Sequence, residues 1–83
     1  MNEKVERIQD WLLAYLARAV GCPLDDLGTD VPFARYGLDS AGMTIMASEL
    51  MDFLGQEIEL DTFFEYPTVE TLSRHLAGDA GAP

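Results

Sequence analysis

Ser40 is the residue whose surroundings most suggest chemistry. It follows Tyr36-Gly37-Leu38-Asp39, where a long loop hands over to a helical repeat. Gly37 permits a tight turn, and Leu38 can anchor the loop in a core. Together they would hold the Ser40 hydroxyl outward at the positive end of the helix. A phosphate ester placed there would face unpaired amides and the favourable end of the dipole. A serine at a helix start can also be a simple cap, so the residue type alone leaves both roles open.

The rest of the reactive inventory is thin. His75 is the sole histidine and sits in a helical stretch beside Arg74, where it reads as an ordinary surface or boundary residue. The pairs Asp25-Asp26 and Glu57-Glu59 lie in loops with no other sign of a pocket and read as solvated charge. Cys22 is the only cysteine, which excludes an intrachain disulfide and a cysteine-based zinc site and fits a reducing, cytoplasmic setting. A hydrolase built on Ser40 fails on the absence of a histidine placed to activate it. No catalytic residue and no metal ligand is expected.

Composition narrows the partners. The 83 residues carry 15 acidic and 5 basic side chains, a formal charge of -10 that repels phosphate backbones and anionic membranes and steers toward basic surfaces. Neither nucleic acid nor a membrane is an expected partner. Hydrophobic residues make up 48% of the chain and recur at helical spacing, which separates it from a disordered acidic tail. No apolar run behind a basic start marks a signal peptide, and none is long enough to cross a bilayer.

The elements that must position Ser40 follow from periodicity. Val5, Ile8, Leu12, Tyr15, Leu16 and Ala19 form one stripe of a first helix over Glu3 to Val20, closed by Gly21 and Pro23. Residues 22 to 39 then make a long connection without helical period. Leu24, Leu27, Val31, Phe33, Tyr36 and Leu38 can pin it across the helices, with a short turn over Leu24 to Leu27. A second helix runs from Ser40 to Leu54 with Asp39 as N-cap and Gly55 as its stop. Met43, Met46, Ala47, Leu50 and Leu54 share its inner side; Ala41, Thr44, Ile45, Ser48 and Asp52 share the outer one. A turn or two before Pro67 and a last helix capped by Thr68 and Gly78 complete the chain, with 78–83 as a frayed tail or linker. The expected fold is all-α: one domain, a small bundle of three principal helices plus one short helix before the last, with a core over about 5–77.

The segment GLDS at 37–40 resembles the phosphopantetheine attachment motif of acyl and peptidyl carrier domains. The run Phe63-Phe64-Glu65-Tyr66-Pro67-Thr68-Val69 is similar to the FFEYPT stretch of polyketide synthase carriers. Leu50 and Leu54 fall where that family packs its second helix, Ile58 matches the apolar anchor of the following loop, and Leu72 to Ala77 looks like its closing helix. GLDS alone is a weak signal; with the second stretch at this separation it is a strong one, and the likeness spans Val5 to Ala77.

That resemblance implies an acyl carrier protein without catalytic activity of its own. Ser40 would receive 4′-phosphopantetheine from coenzyme A through a phosphopantetheinyl transferase, with Asp39 helping to orient the transferase and its magnesium ion. The arm's thiol would hold acyl or polyketide intermediates for a loading enzyme, either an acyltransferase or an adenylating ligase, and for a ketosynthase or other enzymes of a bacterial natural-product pathway. A peptidyl carrier shares GLDS and stays open beside it, as does an unmodified acidic helical adaptor. A monomer is expected. Met1 and the acidic start favour a free-standing protein, whereas the Gly/Ala/Pro tail resembles linker material.

Two departures from the family pattern stand out. The residue after the serine is usually bulky and apolar, but here Ala41 and Gly42 follow. Gly42 costs roughly 1 kcal/mol of helix propensity against alanine, which implies a looser helix start or one that admits a partner's backbone. The outer face of the second helix also lacks the glutamates of fatty-acid carriers, with acid only at Glu49 and Asp52. Docking through Leu38, Ala41, Thr44, Ile45, Ser48 and Asp52 would then lean on apolar contact near Ser40, with charge serving for steering.

Overall fold

The computed structural model describes residues 3–21 and 27–78, and among these it contains four α-helices and no strand. Helix α1 spans Glu3–Val20, α2 Ser40–Leu54, α3 Leu60–Glu65 and α4 Val69–Leu76. Helix α1 packs chiefly on α4, and α2 on α3. Each helix contributes one apolar stripe. Ile8, Leu12 and Leu16 come from α1, Met43, Met46, Ala47 and Leu50 from α2, Phe63 from α3, and Val69 and Leu72 from α4. Phe33 and Ile58 enter the same core from the two connections.

The expected bounds of α1 and α2 hold, and the inner stripes hold in their middle turns, with Val5 and Tyr15 of α1 only half-buried. Leu16 is the last buried residue of α1, so Ala19 in the final turn is exposed rather than packed. Leu54, at the end of α2, is only half-buried. Trp11 lies beside the α1 stripe, stacked on Tyr15 at 5.4 Å and on Phe53 of α2 at 5.7 Å, and the Arg18 guanidinium sits over the Tyr15 ring. These rings, half-buried at Trp11 and Tyr15 and exposed at Phe53, tie α1 to the far end of α2.

The long connection carries more structure than its sequence suggested. Phe33–Tyr36 form a 3-10 turn that buries Phe33. The proposed turn over Leu24 to Leu27, together with Cys22, Pro23, Asp25 and Asp26, falls largely outside the described residues. Beyond it the loop is pinned to the α3–α4 junction. The Phe33 amide donates to the Pro67 carbonyl at 2.8 Å, the Glu70 amide donates to the Thr29 carbonyl at 2.9 Å, and Pro32 bridges to Thr68. The Tyr36 hydroxyl closes a second ring, donating to the Gly28 carbonyl at 2.8 Å and accepting from the Gly28 amide at 3.0 Å. A half-buried loop must satisfy its backbone groups somewhere, and these bonds are where they go.

Thr68 caps α4 as expected, in a reciprocal box with Thr71. Ser73 is fully buried on α4, its hydroxyl donating to the Val69 carbonyl at 2.7 Å, so a polar residue sits in the core at little cost. His75 is half-buried and stacked on Tyr66 at 4.1 Å. It holds the α3–α4 corner together and does not line the surroundings of Ser40.

Candidate functional site

The chain has three serines, and their environments differ. Ser73 is sealed in the core. Ser48 is exposed two turns inside α2, where its backbone belongs to a continuous helix. Ser40 is exposed and is the first residue of α2. Its hydroxyl has no hydrogen-bond partner among the described residues.

The residues before it explain that presentation. Gly37 takes φ 83, a left-handed turn that a side chain would strain, and it reverses the chain out of the 3-10 turn. Leu38 then turns inward, half-buried against the core. Asp39 is extended, and its carboxylate accepts the Gly42 amide at 2.8 Å as the N-cap. With Asp39 acting as the cap, Ser40 is released from that duty. No acidic residue lies in the first turn of α2, so beyond the cap the positive end of its dipole is not offset locally. One turn on, the Thr44 hydroxyl donates to the Ser40 carbonyl at 2.8 Å.

Beside Ser40 lies an apolar hollow of about 350 Å³. Ser40 and Asp39 mark its polar edge, while Leu38, Met43, Phe63 and Phe64 line it, together with Pro32, Ala34 and Pro67 from the pinned loop and corner. Phe63 is buried, but Phe64 is 58% exposed on the rim. Sequence reasoning gave the FFEYP stretch no place at the site. Adjacent phenylalanines on a short helix were a usable signal, since consecutive helical residues point about 100° apart and only one can face the core.

The expected docking positions separate into two groups. Ala41, Thr44, Ile45, Ser48 and Asp52 are exposed along the outer face of α2, with Ile45 at 56%. Leu38 instead packs inward and lines the hollow. Gly42 is not an opening for a partner's backbone: a Cβ there would meet Leu38 Cδ2 at 3.2 Å and Asp39 Oδ1 at 3.3 Å. The space that its missing side chain leaves is already filled by this chain.

Among the described residues no group of three or more His, Cys, Asp or Glu could hold a metal ion. Among the described residues the one resolved perturbation of a titratable group is remote, at Tyr15. Burial raises its hydroxyl pKa, the Glu49 charge and a hydrogen bond to Glu49 raise it further, and Arg18 opposes them. No helix among the described residues is long and apolar enough to cross a membrane.

Comparison with known proteins gives a consistent outcome. A family model described as a phosphopantetheine attachment site matches residues 10–76. A phenolphthiocerol/phthiocerol polyketide synthase of Mycobacterium tuberculosis is 30% identical over 76 residues, a match covering 92% of this chain but 4% of that protein. The chain thus spans only a small part of that synthase. The acyl carrier protein TtuC of Teredinibacter turnerae is 26% identical over 72 residues, covering 87% of this chain and 83% of that one. Among solved structures, an acyl carrier protein from Anabaena sp. PCC 7120 with a variant phosphopantetheinylation-site sequence superposes with a TM-score of 0.86 at 31% identity, covering 94% of this chain and 89% of that one.

Proposed function

The chain belongs to the phosphopantetheine attachment site family and is a carrier protein homologous to polyketide synthase carrier domains; on that premise we propose that Ser40 is its point of attachment. The observation that carries this is the placement of one partnerless, exposed hydroxyl at the head of α2, directly after a separate N-cap. In the transfer, Ser40 Oγ forms a phosphoester bond to the phosphopantetheine phosphorus as the pyrophosphate linkage of coenzyme A breaks. The hydroxyl proton leaves to a base of the transferase, and adenosine 3′,5′-bisphosphate departs.

The residues present fit this group. The oxygen is open to solvent, the amides at the start of α2 favour a phosphate, and the hollow beside Ser40 is mostly apolar with a polar edge. Once bound, 4′-phosphopantetheine supplies a terminal thiol that holds an acyl group as a thioester. The chain's own work is positional. Gly37 and Leu38 set the exit of the loop, Asp39 fixes the first turn, and the bundle presents the attachment point to whichever enzyme docks. Tethering raises the effective concentration of cargo at each partner without any catalytic step by this chain.

The cargo proposed is an acyl or polyketide intermediate, in keeping with the homology to polyketide synthase carriers. A peptidyl cargo has no specific observation in its favour. The proposed partners are a phosphopantetheinyl transferase, a loading enzyme and the condensing enzymes that use the thioester, meeting the outer face of α2 around Ile45. Incubation with coenzyme A and a broad-specificity transferase should add one phosphopantetheine by intact mass. Ser40→Ala should add none.

A further inference from the structure

We infer that Gly42 is a positioning residue for the modification of Ser40, an inference that rests on the carrier reading above. Glycine inside a helix is a poor choice by propensity, so a glycine in the first turn of α2 calls for a reason. Conformational freedom does not supply it, because Gly42 is helical and is not among the positive-φ glycines. Space does. A Cβ on Gly42 would lie 3.2 Å from Leu38 Cδ2 and 3.3 Å from Asp39 Oδ1, and 4.0 Å from Leu38 Cβ. The two side chains that close over Gly42 belong to the two residues immediately before Ser40.

Neither neighbour can yield without consequence. Leu38 is packed against the core on one side and lines the apolar hollow with Met43 and Phe63 on the other, so a displaced Cδ2 shifts into the hollow and reshapes the wall beside Ser40. Asp39 is exposed and could rotate, but its Oδ1 is the acceptor of the Gly42 amide at 2.8 Å, and rotation gives up the cap. Either adjustment moves a residue covalently joined to Ser40, or one that frames its approach. The bare face of Gly42 thus lets Leu38 and Asp39 close over the first turn, in the arrangement in which Asp39 caps and the Ser40 hydroxyl is left uncommitted. The outer docking positions Thr44, Ile45 and Ser48 are exposed, and none of them is among the close contacts of a Cβ at Gly42.

The test is steady-state transfer from coenzyme A by one transferase, followed by intact mass, on wild type, Gly42→Ala, Leu38→Ala and the double variant. Gly42→Ala should keep its helical circular dichroism, since alanine is the better helix former. Its kcat should fall on the order of tenfold, with KM for the carrier within about twofold, because the hydroxyl is misplaced while the docking face is intact. Leu38→Ala removes the nearest crowding atom, so adding Gly42→Ala on that background should cost less than about twofold. Modification of Gly42→Ala at the wild-type rate overturns the inference. So does a loss confined to KM, an equal loss in both backgrounds, or a loss of helix that Leu38→Ala does not restore. A wild-type chain that accepts no phosphopantetheine overturns the carrier reading and this inference with it, whereas a modified wild type beside an unaffected Gly42→Ala overturns the inference alone.

Discussion

Replacing Tyr36 by phenylalanine should weaken the fold through one atom. The Tyr36 hydroxyl makes two hydrogen bonds to Gly28, donating to its carbonyl at 2.8 Å and accepting from its amide at 3.0 Å. Phenylalanine keeps the ring, which packs against the core, and removes both bonds. A typical internal hydrogen bond contributes about 0.5–1.5 kcal/mol net, so two lost bonds cost about 2 kcal/mol. Gly28 is half-buried, so water can reach its freed groups in part and the full desolvation penalty does not apply. In a domain of this size about 1 kcal/mol shifts the melting temperature by about 4–8 °C, which puts the expected drop at about 8–16 °C. Urea unfolding followed by circular dichroism should show a lower midpoint at unchanged slope, because the surface exposed on unfolding barely differs. Transfer to Ser40 at about 25 °C should persist, since the loop stays pinned through Phe33–Pro67 and Thr29–Glu70. A loss below about 0.5 kcal/mol would refute the clasp as a stabilising feature in solution.

Two other perturbations probe separate parts of the molecule. Ile45→Ala should leave stability within about 0.5 kcal/mol, because Ile45 is exposed, yet raise the transferase KM roughly fivefold if apolar contact on α2 contributes about 1 kcal/mol to docking; an unchanged KM would leave docking to charge alone. Tyr15 has its pKa raised by burial first and by Glu49 second, so the folded state holds the phenolic proton more tightly than the unfolded chain does. Its contribution is therefore complete below the unfolded value of about 10 and is lost as pH climbs from there through the raised folded value. Stability of the wild type should fall more steeply than that of Tyr15→Phe above about pH 10 in denaturant titrations, and parallel curves would contradict the assignment.

What the sequence made legible, and what it did not, divides along the range of the interaction. The bounds of α1 and α2 were readable because an apolar stripe, a cap and a terminal glycine are all local signals, each confirmed at Asp39, Gly21 and Gly55. The exposed start of α2 at Ser40 followed from the same signals. The apolar residues that pin the first loop were readable, at Leu27, Phe33, Tyr36 and Leu38, but its hydrogen-bonded partners were not: Phe33 to Pro67, Pro32 to Thr68 and Tyr36 to Gly28 are tertiary pairings that leave no periodic trace. The apolar hollow was hidden for the same reason, since its walls come from a loop, α2 and α3. The burial of Ser73 is not announced by its type, because a serine can satisfy its hydroxyl on the preceding helical turn and enter a core. Gly42 misled by propensity, which registers the cost of a missing side chain but not the neighbours that occupy its place.

Which serine carries the arm is the decisive point. After incubation with coenzyme A and a transferase, fragmentation of the intact modified chain by mass spectrometry should locate a single phosphopantetheine on Ser40. Ser48 and Ser73 should stay bare, the one set within a continuous helix and the other sealed in the core. A modified Ser48, or a Ser40→Ala chain that takes up the group as well as the wild type does, would contradict the placement on Ser40.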